Sequence, residues 1–263
     1  RNEIEDAVIA VLEALSAVGQ KARGKDLDLG ALGGLCDPLL KMPDTAQCPS
    51  PLLGIHSPSA LSPASILGIA FAYCQASAVN LVALADAADA LNAGEIRLAP
   101  GHGLFVTGLP ADKAMALQHT SEGLGFLTDP SDPRHFIALC AGARGCASGL
   151  FDTHALADRM RGQAPELLDG SFALHLSACL KGCAHPAPSL LTVVGAPSGY
   201  GLVVNGAASA NLAAYLDENG LEAAWKRLAA LVGEERQAGE SAGTCLTRLG
   251  ADRIWAALQL ETQ

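Results

Sequence analysis

Apolar positions along this chain follow two periods, and the changes between them mark out its elements. Asn2 to Val18 carries Ala7, Val8, Val11, Leu12, Leu15 and Val18 at helical spacing, and Gly19 ends that helix. Gly30 to Pro51 is rich in Gly and Pro, has no clear period, and reads as a linker. Leu52 to Ile55 predicts a strand. Ser65 to Tyr73 is continuously apolar and predicts a second, although a run this short also fits a buried helix. Ala76 to Asn92 predicts a helix with Val79, Val82, Ala83 and Leu91 on or near one face and Gly94 beyond its end. Glu95 to Leu98 and Leu104 to Thr107 predict paired strands around Pro100-Gly101-His102-Gly103. Pro110 then opens a helix running to about Ser121. This order predicts an α+β layer, antiparallel in part.

A second region follows the turn Asp129-Pro130-Ser131-Asp132-Pro133. Strands are expected at His135 to Leu139 and at Phe172 to Leu176, separated by a short helix from Thr153 to Arg161 with Asp152 as its cap. Leu190 to Val194 and Tyr200 to Val204 predict a hairpin across Ala196-Pro197-Ser198-Gly199. Leu221 to Val232 and Ala251 to Leu260 predict two closing helices.

Composition narrows the possible partners. At 263 residues the chain can bury one large core or two modest ones. Half the residues are apolar and 17% are charged, but no apolar run has the length of a membrane span. A net charge of -10 argues against nucleic acid and against an anionic membrane surface as partners. No signal peptide is recognisable and nothing points to an oxidising compartment, so a cytoplasmic location with free thiols is expected.

Those thiols are the chemically informative part. Two of the predicted strands run directly into cysteine pairs: Cys140-x5-Cys146 in CAGARGC and Cys179-x3-Cys183 in SACLKGCAHP. Gly or Ala flanks each Cys, letting the backbone pass close to a bulky group. Four thiolates from two short loops suit one metal centre. The x3 spacing would suit zinc, whereas the x5 gap is too wide for a zinc knuckle and fits a larger iron–sulfur cubane. The bland reading makes all four buried small hydrophobes, which is how we read the scattered Cys36, Cys48, Cys74 and Cys245.

The order C-x5-C then C-x3-C after a strand resembles the siroheme-type nitrite/sulfite reductase superfamily. Within it, Leu174 to Gly195 (LHLSACLKGCAHPAPSLLTVVG) is similar to the precorrin-3B synthase family. The features that carry this are Lys181-Gly182 between the cysteines and Ala184-His185-Pro186-Ala187-Pro188 after them. Gly94 to Leu109 (GEIRLAPGHGLFVTGL) resembles the strand pair of that family's ferredoxin-like half-domain. Ala178 departs from the usual Gly before the third Cys. The resemblance spans about Leu52 to Gly206.

It implies a fold class: α+β, with a ferredoxin-like half-domain followed by a nitrite/sulfite reductase-type iron–sulfur α/β domain. The expected organisation is a helix and linker over 1–51, the half-domain over 52–128 and the 4Fe-4S, tetrapyrrole-binding domain over 129–263. One copy of each repeat element and a start at Arg1 imply a C-terminal part whose partner is the missing N-terminal half. The implied reaction hydroxylates precorrin-3A at C-20 with γ-lactone formation, using O2 and electrons relayed through a 4Fe-4S cluster from an external donor. Cys140, Cys146, Cys179 and Cys183 are the implied ligands, with Cys183 nearest the tetrapyrrole. In this family the tetrapyrrole is substrate. A fixed siroheme belongs to the alternative, a nitrite or sulfite reductase. A third reading is a non-enzymatic metal-binding module or inactive fragment.

A substrate with many carboxylates needs cationic partners. Arg144 and Lys181 lie between cluster cysteines and serve either substrate carboxylates or charge balance. Arg97, on the upstream strand, is a further candidate that reads first as a surface residue and only second as a substrate contact, and His185 comes with the resemblance. A second, non-haem iron would take two His and a carboxylate. His175, His185 and His135 lie near the Cys pairs, but none has a partner acid at helical spacing.

Overall fold

The computed structural model describes residues 2–19, 22, 26–28, 52–57, 64–99, 102–210 and 214–259. The expected linker at Gly30 to Pro51 lies outside them. The chain divides into two compact units, Arg1–Pro49 and Ser50–Gln263. The first contains helix α1 (Asn2–Val18), at the predicted bounds. It ends where Gly19 adopts a φ of +135° that disfavours any side chain.

The second unit is built on two sheets. The first comprises β1 (Gly54–His56), β2 (Ala64–Phe71), β3 (Glu95–Ala99), β4 (Gly103–Pro110) and β5 (Phe126–Leu127). All its pairings are antiparallel. The order is β1-β2-β4-β3, and β5 also pairs with β2. The ambiguous apolar run is therefore a strand. Leu67 and Ile69 of β2 and Leu104 and Val106 of β4 alternate onto one face. There they meet helix α2 (Ala78–Ala90) through Leu84 and Ala88 and helix α3 (Ala114–Gly123) through Ala114 and Leu117. The expected apolar face of α2 needs correction. Val79 and Val82 are 77% and 61% exposed, because Leu84 and Ala88 turn to the sheet instead.

The second sheet has the order β10-β9-β8-β7-β6. Its strands are β6 (Ile137–Leu139), β7 (Leu174–Ser177), β8 (Ser189–Ala196), β9 (Gly199–Gly206) and β10 (Ala214–Leu216). β6, β7 and β8 are mutually parallel, and β8-β9 is the predicted hairpin. Between β6 and β7 come α4 (Gly142–Gly145) and α5 (Thr153–Gln163). α6 (Glu218–Glu235) and α7 (Ala242–Gln259) close the chain. Leu174 and Leu176 face the main core with Leu156, Met160, Trp225 and Leu228. The opposite face carries Val194 and Val203, packed with Ala208.

Three differences from expectation have different causes. Pro133 to Phe136 is a tight 3-10 turn rather than the start of β6, α7 begins nine residues before Ala251, and the two short strands β5 and β10 were not anticipated. The Pro133 turn is capped locally by the Asp132 side chain, whereas β5 and β10 exist through pairing with β2 and β9, which local periodicity does not encode. Gly250, at φ +80°, interrupts α7 and hides its helical period.

A polar contact joins the two sheets' regions. Tyr73, just after β2, donates its hydroxyl to Asp158 of α5 at 2.5 Å and packs edge-on against His154. Burial first, then the Asp158 carboxylate, pushes the phenol up to about 12. Tyr73 and Cys74 both hold positive φ, 56° and 59°, a strained conformation for side-chain-bearing residues.

Candidate metal centre

Parallel strands place their following loops at one edge of a sheet, and both cysteine pairs use this. β6 and β7 run side by side with Leu139 opposite Leu176. Cys140 follows β6 directly, and Cys179 comes two residues after β7. The ladder continues past the strand ends, since the Cys140 N–H donates to the Leu176 carbonyl at 3.4 Å.

The loops are fixed by their own backbones. The Cys146 N–H donates to Gly142, and the Gly149 N–H donates to Cys146. The Ala143 N–H reaches the Phe151 carbonyl, and the Leu150 N–H reaches that of Ala178 at 3.0 Å, tying one Cys loop to the other. Thr153 Oγ donates to the Cys140 carbonyl and Ser177 Oγ to that of Cys179, each at 2.7 Å. Small residues permit this crowding. A β-carbon on Gly149 would lie 2.5 Å from the Gly142 backbone, and one on Gly195 would lie 2.2 Å from the Ala178 carbonyl oxygen. Gly142 and Gly182 hold φ near +60°, as turns inside each Cys pair require.

The donor set fits an iron–sulfur group. Cys146 and Cys183 are exposed, and Cys140 and Cys179 are partly buried. The Ala178 N–H already points at Cys140 Sγ at 3.3 Å, the kind of contact that stabilises charge on a thiolate sulfur. Among the described residues no three His, Cys, Asp or Glu side chains converge as a cage for a single ion. A cubane is larger than an ion and spreads its ligands further apart. The buried imidazole of His175, whose two nitrogens find no protein partner, adds an orphaned polar group beneath the second loop. Burial first, then the neighbouring His185, pushes it down to about 4, so it is neutral.

The other predicted residues separate. Lys181 bonds Ser148 Oγ at 2.8 Å, across from one Cys loop to the other. Arg144 pairs with Asp152 at 2.5 Å. Asp152 caps α5, as expected, through the N–H groups of His154 and Ala155. Burial works to raise the Asp152 carboxyl, but the Ala155 N–H, the Arg144 guanidinium and the His154 N–H outweigh it and hold it low. His185 Nδ1 donates to the Ala187 carbonyl at 2.9 Å, and its ring lies 5.6 Å from that of His175. Arg97 is not in this group. It sits on β3 in the other sheet, exposed and paired with Glu95. Beside Cys179 lies a cavity of about 350 Å³ with Leu150, Leu180, Lys181, Pro197 and Tyr215 in its lining. Sequence reasoning missed Leu150 and Tyr215, which carry no local signal of this role.

Comparison with known proteins now bears on these loops. No family model matches the chain. A precorrin-3B synthase from a Sinorhizobium species is 47% identical over 264 aligned residues, covering 98% of this chain. The chain is thus similar to a precorrin-3B synthase over nearly its whole length. It spans about half the length of that protein, 56%. A sulfite reductase [ferredoxin] 2 of Mycolicibacterium paratuberculosis is 28% identical over 128 residues, covering 45% of this chain and 22% of its own. Among solved structures, the NirA protein of Mycobacterium tuberculosis superposes with a TM-score of 0.62 at 17% identity, covering 96% of this chain and 53% of NirA. Dissimilatory sulfite reductase I gives 0.52 at 12% identity, covering 76% of this chain and 70% of its own. The fold is thus of the nitrite and sulfite reductase type, and the resemblance read from the cysteine motifs is borne out.

Proposed function

We propose that this chain is the cluster-bearing part of a precorrin-3B synthase-like monooxygenase of cobalamin biosynthesis. The reaction is hydroxylation of precorrin-3A at C-20 with lactone formation, using O2 and electrons from an external donor. Cys140, Cys146, Cys179 and Cys183 would hold a 4Fe-4S cluster, which when bound supplies single-electron transfer. The observation that carries this reading is the convergence of both Cys loops at one edge of the parallel strands. The 47% identity to a precorrin-3B synthase supports the substrate assignment.

The chain's own residues have distinct tasks in this scheme. The apolar cavity beside Cys179 suits one face of a flat macrocycle. Lys181, in its lining, can exchange its Ser148 partner for a substrate carboxylate. Arg144 holds the first Cys loop to the cap of α5 and adds positive charge near the centre. His185, fixed by Ala187, offers its Nε2 as an acceptor. Arg97, exposed on the other sheet and paired with Glu95, has no task in this scheme.

Anaerobic purification followed by iron analysis and visible spectroscopy tests the proposal. The expected result is about four iron atoms per chain and a broad absorption shoulder without sharp bands. Additional sharp bands in the red would favour a siroheme reductase, the reading to which the sulfite reductase relative lends support. An iron-free, colourless protein would overturn both and leave a module without a cluster.

A further inference from the structure

His175 is fully buried on β7, on the face of the second sheet away from the main core. A neutral imidazole carries one N–H donor and one acceptor, and buried polar groups in folded proteins nearly always have partners. The other buried polar side chains of this sheet conform. Ser177 bonds Cys179, Ser189 bonds His185, and Thr192, which pairs with His175 in register, bonds the Gly206 carbonyl. His175 alone among them has neither nitrogen paired. His185 does not resolve this: its ring lies 5.6 Å from that of His175, and neither His175 nitrogen finds a hydrogen bond there.

The position of the ring gives the orphan a meaning. Its Cε1, between the two nitrogens, lies 3.8 Å from where a β-carbon of Gly182 would stand. Gly182 is the left-handed residue of the Cys179–Cys183 turn, and Ala208 closes the other side at 3.2 Å from the same point. The ring therefore lies directly beneath the loop that carries two of the four thiols.

We infer that His175 is a positioning residue that donates an uncharged N–H to the metal centre held by the Cys179–Cys183 loop. The inference rests on the cluster reading above. Such a donor stabilises the extra negative charge that the sulfurs take up on reduction, and so raises the reduction potential.

The test compares anaerobically reconstituted wild type with His175→Phe, His175→Met and His175→Gln, reading iron content and cluster potential by spectroscopic titration. Phe removes the donor while filling the space. The more flexible Met reads the same property if Phe is not accommodated. With iron content unchanged, loss of the donor should shift the reduction equilibrium about tenfold towards the oxidised state, which is about 59 mV for one electron. Gln, which keeps an N–H, should recover most of that shift. Full iron with an unchanged potential in the Phe or Met variant overturns the inference and leaves His175 as packing or the partner of a buried water. Failure of wild type to take up iron is a different result. It overturns the cluster reading itself, and this inference with it.

Discussion

The two sheets of the larger unit are of equal strand number, yet only one of them assembles chemistry. In the first, every pairing is antiparallel, so each pair of neighbouring strands sends its following loops to opposite ends and disperses whatever they carry. Arg97 illustrates the outcome: an exposed side chain on an edge strand whose partner is its neighbour Glu95. In the second, β6, β7 and β8 run parallel, and the segments that follow them meet at one edge. Two of those segments bring the four cysteines, and the third, Gly195 to Pro197, walls the cavity beside Cys179. Parallel order turns residues far apart in sequence into one site, at the cost of a crossover helix between strands.

The largest effect should separate the sheets outright. Cys179→Ser is expected to abolish iron binding after anaerobic reconstitution, whereas Cys74→Ser, beside the first sheet, should leave the iron content intact. Equal iron in the two variants would end the assignment of the second sheet as the metal-bearing one.

Acid should act next most strongly, and again on one sheet. His175 has its folded-state value lowered to about 4 from an ordinary 6.5. The unfolded chain therefore binds the extra proton between those values. The stability that comes from keeping the ring neutral is full above about pH 6.5 and is lost as pH falls towards 4. At its limit it is on the order of 3 kcal/mol. Urea unfolding of the metal-free chain at pH 7 and pH 5 should show this loss, and His175→Phe should flatten it. Burial also lowers His135, ahead of β6, so a smaller pH dependence remains in the variant; a loss between pH 7 and pH 5 equal to that of wild type would contradict the assignment.

Packing tolerance should differ as well. Gly195→Ala sets a methyl 2.2 Å from a backbone oxygen and should cost about 1–3 kcal/mol or more in unfolding free energy. Gly123→Ala, at the end of α3, meets nothing within 4 Å and should be neutral or stabilising by up to about 1 kcal/mol. Similar denaturant midpoints for the two variants would show that the Cys-loop edge is less rigid than its contacts imply.

The smallest effect concerns the cations. Lys181→Met should weaken binding of a carboxylated tetrapyrrole about tenfold at constant salt while leaving the cluster in place. Arg97→Met, exposed and on the other sheet, should change it by about twofold or less. Unchanged affinity in the Lys181 variant, together with a shifted cluster potential, would make Lys181 a charge-balancing residue only.

Much of this contrast was legible in the chain itself. The two cysteine pairs, the small residues around them, the Asp152 cap and the β8-β9 hairpin are local patterns, and local patterns are set by spacing, φ preference and short-range hydrogen bonds. The helical face of α2 was misread because Val79 and Val82 are as apolar as Leu84. Only the sheet against which the helix packs decides which of them is buried. Nothing in the sequence marks Leu150 and Tyr215 as neighbours of Cys179, or Tyr73 as the partner of Asp158, because those contacts join segments tens of residues apart. The same holds for His175. Its residue type and its distance from Cys179 were visible, but its burial, its unpaired nitrogens and its place beneath Gly182 arise from strand pairing and loop closure. What spacing and residue type alone fixed is four cysteines in two short turns, the donor set on which the cluster proposal rests. Their placement at a common edge came from the fold, because only parallel pairing of β6 and β7 brings both turns to the same end of the sheet.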